Sequence, residues 1–75
     1  MIKAVISSYI DKKYLSIDLE QEGIEFANIN VENNSLRIEI YKSSENINLD
    51  FNELMSLLVY AKEELLKTYP NVETR

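Results

Sequence analysis

Five carboxylates fall in one stretch without positive charge: Asp18, Glu20, Glu22, Glu25 and Glu32, all between Tyr14 and Leu36. Carboxylates gathered this way have three chemical uses. They can ligate a hard cation such as calcium or magnesium. Two of them, held in unequal surroundings by a cleft, can act as general acid and general base. Exposed together, they can form an acidic docking surface for a basic partner. Asp18-Leu19-Glu20-Gln21-Glu22-Gly23 imitates the start of a calcium loop, but the twelfth position is Ile29, where a bidentate Glu is required. Both flanks of that segment are also patterned as strands rather than helices. No carboxylate sits inside an apolar run, and a single sheet with one helix leaves little room for a cleft. Lys62 is the one ionisable group inside an apolar stripe, and near a helix end its stem can reach water. The expectation is no metal, no cofactor and no catalytic residue.

The docking role remains. Asp18 and Glu20 share the outer face of one strand, and Tyr9, Tyr14 and Tyr41 fall on the outer faces of theirs. Tyr offers contact area with few torsions to freeze, so these five residues are the candidate partner-binding set. The same residues also suit an ordinary solvated face, because Tyr is good strand chemistry and acids oppose edge aggregation. Asn33-Asn34-Ser35 matches a glycosylation acceptor in form but reads as a turn.

The composition narrows the field further. The 75 residues include no His, Cys or Trp. That excludes disulfides, ordinary zinc, haem and iron–sulfur ligation, and any Ser-His or Cys-His nucleophile pair. Asp and Glu number 13 against 8 Lys and Arg, a net charge of -5, and the sequence pI is near 4.6. Hydrophobic residues at 45% are enough for a core, so the chain is globular rather than disordered. No apolar run approaches the ~18 residues of a membrane span, and no leader pattern follows Met1. The expectation is one cytoplasmic domain over residues 1–70, with a flexible tail over 71–75 after Pro70.

Period-two alternation places the elements. Ile2, Ala4, Ile6 and Ile10 share one face of a first strand, and Leu15, Ile17 and Leu19 one face of a second. Setting Ile6 opposite Leu19 and Ile10 opposite Leu15 keeps both sets together, with a loop over Asp11–Tyr14. Gly23 suits the positive φ of the next turn. Ile24 and Phe26 are out of phase with Ile29 and Val31, so either an extra residue near Ala27-Asn28, a β-bulge, restores the phase or the strand has both faces partly covered. A turn on Asn33-Asn34 sets Val31 against Leu36, Ile29 against Ile38 and Ala27 against Ile40. Ile47 and Leu49 form a short extended piece that could add a fifth strand. Asp50 then caps a helix, with Glu53 at the capping-box position and Leu49 and Leu54 at staple spacing. The helix runs to about Thr68, before Pro70. The fold class is therefore α+β: a four-stranded antiparallel meander with one C-terminal helix packed on one face. The expected core includes Ile6, Ile10, Leu15, Ile17, Leu19, Phe26, Ile29, Val31, Leu36, Ile38, Ile40, Leu49, Phe51, Leu54, Leu58, Ala61 and Leu65.

The helix carries an apolar arc of roughly 200°, wider than one sheet face needs. Leu57 lies on one flank, and Val59 with Leu66 on the other. Either sheet curvature wraps these flanks, or they are the candidate contacts of a homodimer or of a foreign partner. The first strand is the second candidate, as a long apolar edge with only Lys3 as gatekeeper.

Strands followed by one C-terminal helix resembles the element order of the Whirly-type and coactivator-type single-stranded DNA binders, whose helices pair in dimers. The resemblance covers layout and no motif. It implies a cationic sheet face with aromatic platforms. Here the outer face sets Lys3 and Arg37 against Asp18, Glu20 and Glu39. The leading expectation is a small, acidic, non-enzymatic protein-binding module with a basic partner. A stoichiometric inhibitor of the immunity or phage anti-defence kind fits, on size and charge. A single-stranded nucleic-acid-binding dimer and an accessory subunit of a larger complex are the alternatives.

Overall fold

A computed structural model describes residues 1–8, 14–43 and 45–72. The elements are β1 Ile2–Ser7, β2 Ser16–Gln21, β3 Ile24–Glu32, β4 Ser35–Ile40 and α1 Phe51–Thr68. The strands are antiparallel neighbours in the order β1-β2-β3-β4. The helix packs on one face, so the expected α+β fold is the fold found. Among the described residues no fifth strand joins the sheet: residues 45–50 run outside the ladder. That segment is held instead by Gln21 Nε2, which donates to the Asn48 carbonyl at 3.1 Å, and by Leu49 against the core.

The β3–β4 hairpin follows the alternation. Asn33 and Asn34 adopt φ of 52° and 61°, the left-handed pair that a two-residue hairpin turn requires. The register sets Val31 against Leu36, Ile29 against Ile38 and Ala27 against Ile40. The β2–β3 turn uses the same geometry at Glu22 and Gly23, with φ of 54° and 79°. Gly23 meets that demand freely; Glu22 adopts it at a cost of about 1 kcal/mol. The bulge is present. Leu19 opposes Ala27 and Glu20 opposes Glu25, which leaves Phe26 as the extra residue, just before the expected Ala27-Asn28. Phe26, Ala27 and Ile29 are thereby all buried despite their phases.

The β1–β2 register differs from expectation. Ile6 lies opposite Ile17, and Ala4 opposite Leu19. The pairing has slid by two residues, and an even slide leaves every side chain on its own face, so alternation does not detect it. Lys3 faces Glu20 in the observed register, and the expected one would have set it against Glu22, so cross-strand charge does not choose between them. The expected Ile10–Leu15 pair and most of the Asp11–Tyr14 loop lie outside the described residues.

Asp50 caps α1: its Oδ2 accepts from the Glu53 N–H at 2.9 Å. The reciprocal half of the capping box is redirected, because Glu53 Oε1 accepts from the Ile2 N–H at 2.9 Å and ties the helix to the start of β1. At the far end the Tyr69 N–H donates to the Leu65 carbonyl at 2.8 Å, and the Val72 N–H to the Tyr69 carbonyl at 3.2 Å. Val72 is buried, so the tail expected from residue 71 is tied down at least that far.

The core gathers Ile2, Ile17, Leu19, Phe26, Ala27 and Ile29 beneath Ala61 and Leu65. Four expected core residues are exposed instead: Ile6, Ile38, Ile40 and Phe51. For Ile38 and Ile40, both on β4, the reason is width. A helix is about 10 Å across, while four strands at about 4.8 Å spacing present a wider floor. Here α1 lies over β1 to β3 and leaves β4 open. Among the described residues no helix is long and apolar enough to cross a membrane.

Candidate interaction surface

The open half of the sheet is the first feature. On β4, Ile38 is 53% exposed and Ile40 76%. Both point to the helix side, since they pair with the buried Ile29 and Ala27. The Glu53–Ile2 bond turns one flank of α1 toward β1. Phe51, Met55 and Val59 follow at intervals of four on the flank turned away from β1, and all three are exposed. That flank and the β4 floor form an open apolar angle. Single exposed apolar residues are ordinary, but a grouped set marks an interaction surface.

The edge of β4 is also open. The Tyr41 N–H donates to the Phe26 carbonyl at 2.9 Å, so the backbone groups of Tyr41 face β3. Alternation along the strand then aims those of Leu36, Ile38 and Ile40 outward. Among the described residues no hydrogen bond reaches these outward groups. β1, the other edge, is treated differently, because Glu53 occupies the Ile2 N–H.

The opposite face of the sheet holds a polar network. Asn28 Nδ2 donates to Ser16 Oγ at 3.0 Å and to Asp18 Oδ1 at 2.6 Å. Ser7 Oγ donates to Asp18 Oδ2, and Asn30 Nδ2 donates to Asn28 Oδ1 at 2.8 Å. Ser16, Asp18 and Asn28 are buried, with Asp18 only 3% exposed. Among the described residues every buried side-chain polar atom has a partner, so the network is satisfied and rigidifying rather than reactive. The solvated acidic face therefore includes Glu20 and Glu25 but not Asp18. Among the described residues no three acidic groups converge on one point.

The other candidates are dispersed. Tyr9 lies outside the described residues. Tyr14 is not on the outer face of β2; its ring packs edge-on against Tyr69, with centroids 4.8 Å apart and planes at 82°. The Tyr69 hydroxyl accepts from the Leu15 N–H at 2.8 Å. Beside this pair lies a hollow of about 230 Å³, lined also by Asn34, Pro70 and Val72. Tyr41 follows β4 and is partly exposed. Of the helix candidates, Val59 is exposed, while Leu57 and Leu66 are half-buried. Sequence reasoning missed Ile38, Ile40, Phe51 and Met55 as surface residues. The signal that could have found them is the mismatch between one helix and four strands.

Comparison with known proteins gives no match to a family model, to a curated protein or to a solved structure.

Proposed function

We propose that this chain is a non-enzymatic protein-binding module, acting by occupying a surface. The observation that carries this reading is the apolar angle between β4 and α1, where Ile38, Ile40, Phe51, Met55 and Val59 stand in water. Burying one such side chain contributes about 1.5–3 kcal/mol, so the set supplies the apolar centre of a protein interface. The net charge of -5 favours a basic partner and speeds encounter. A stoichiometric inhibitor would need nothing more than such a surface. The test is affinity capture from the native host with the parent and with Met55→Lys, whose side chain is already exposed. The parent should retain a specific partner that Met55→Lys loses, with both proteins showing the same circular dichroism. The same proteins captured by both would refute the proposal.

A further inference from the structure

We propose that two copies of this chain pair through β4, antiparallel and about a two-fold axis at Ile38, to make one continuous sheet. The inference rests on the reading above, that the β4 side is the working surface, and goes on to name what occupies the strand's edge.

Three observations lead to it. The outward backbone groups of β4 belong to Leu36, Ile38 and Ile40, and nothing described meets them. An exposed row of this kind is a template for another strand. Second, the side chains of those three residues lie on the helix side, while Arg37 and Glu39 lie on the other. A second β4 must therefore enter in a register that keeps faces matched. Third, charge selects among such registers. With the axis at Ile38, Arg37 of each copy faces Glu39 of the other, twice over. With the axis at Arg37, the two arginines face each other; with it at Glu39, the two glutamates do. Moving the axis to Leu36 or Ile40 loses both charge pairs and shortens the ladder.

The chosen register is also the one that the backbone favours. Ile38 meets its own copy, and Leu36 meets Ile40, as hydrogen-bonded pairs, because all three aim their groups outward. Arg37 and Glu39 then fall at non-hydrogen-bonded pairs, where side chains approach most closely. Arg37 and Glu39 are exposed charges of the kind that normally guards an edge. Alternating in sign at a spacing of two, they discourage foreign strands and match a second copy of this one. The two helices then stand on the same side of the shared sheet. Their Phe51, Met55 and Val59 flanks face one another across a floor built from Ile38 and Ile40 of both copies.

Sedimentation and charge reversal test the pairing. At tens of micromolar the parent should sediment at twice 8.8 kDa. Arg37→Glu and Glu39→Arg, each alone, place like charges together and should weaken association at least about tenfold. The double variant Arg37→Glu with Glu39→Arg should restore association close to the parent value. Ile40→Lys, at a residue already 76% exposed, should sediment at 8.8 kDa with unchanged circular dichroism. A parent that stays at 8.8 kDa overturns the pairing. So does a dimer indifferent to the single reversals, or a double variant that is not rescued. If the parent is monomeric and Met55→Lys still loses a captured partner, the pairing fails while the protein-binding reading stands.

Discussion

Asp18→Ala separates a buried carboxylate from Glu20, a half-buried one that composition cannot distinguish from it. Asp18 accepts from Asn28 Nδ2 at 2.6 Å and from Ser7 Oγ, and is 3% exposed. A hydrogen bond to a charged group contributes about 1.5–3 kcal/mol, and a buried donor left without an acceptor is costly. Alanine would deprive both donors of this acceptor. Asn28 keeps Ser16 Oγ at 3.0 Å, so the loss should fall below two full charged bonds, at about 2–4 kcal/mol. A domain of 75 residues has a total stability of about 4–11 kcal/mol. The substitution therefore removes a large fraction of it. With a urea slope near 1 kcal/mol/M, the midpoint should fall by about 2 M or more. Glu20→Ala, two positions along the same strand face, should change stability by less than about 0.5 kcal/mol. A double-mutant cycle with Asn28→Ala should return a coupling of about 1–3 kcal/mol. Coincident midpoints for Asp18→Ala and Glu20→Ala would refute the buried network.

Asp50→Ala should lower stability by about 0.5–2 kcal/mol through the loss of the acceptor for the Glu53 N–H; a urea midpoint equal to the parent's would deny the cap. Glu53→Gln keeps an acceptor for the Ile2 N–H and should be mild, whereas Glu53→Ala should cost about 1–3 kcal/mol and speed amide exchange at Ile2. Equal exchange rates at Ile2 in the two variants would show that the carboxylate does not hold β1. Ser16→Lys forces a charge into a buried site and should destabilise by at least about 2 kcal/mol, while Arg37→Glu at low protein concentration should stay within about 0.5 kcal/mol. Thermal unfolding that gives both the same effect would mean that Ser16 is not buried.

The elements were legible wherever a period and a turn agreed. In the second hairpin, Asn33-Asn34 and six alternating apolar residues point to one register, and that register is present. The helix start was legible because Asp50 is a capping residue at a break in pattern. Two kinds of fact were not legible. The first is an even register slide, such as the one that sets Ile6 against Ile17, because it moves no side chain to the other face. The network of Ser7, Ser16, Asp18 and Asn28 joins three strands, and the bulge sets the β2–β3 pairing that brings Asn28 opposite Asp18, so its burial could not be read from residues that look individually solvent-facing. The second is which strands the helix covers. Ile29 and Ile38 are equivalent in pattern and directly opposed, yet Ile29 is buried and Ile38 half in water. Alternation identifies a face, whereas cover is set by where α1 lands.

The landing of α1 also explains why the two edges differ. Glu53 sits in the first turn of α1, and its bond to Ile2 docks the helix toward β1. A helix drawn to one side of a four-stranded sheet leaves the other side bare, so the contact that ties α1 to the start of β1 is the one that leaves β4 uncovered. At this size only about 60% of the unfolded surface can be buried, and an uncovered strand weighs heavily on stability. Selection on a monomer would be expected to put lysines or a proline on such an edge. β4 instead carries Ile38 and Ile40 on its bare face, with one Arg and one Glu two residues apart on the other. That arrangement leaves the apolar surface available and makes the strand complementary to itself. If the helix dock and the open edge are two sides of one design, releasing the dock should disturb both. Glu53→Ala should then weaken self-association as well as β1, although Glu53 lies on the flank of α1 opposite to Phe51 and Met55. An association constant unchanged by Glu53→Ala, in a variant whose Ile2 amide exchanges faster, would separate the two and refute the coupling.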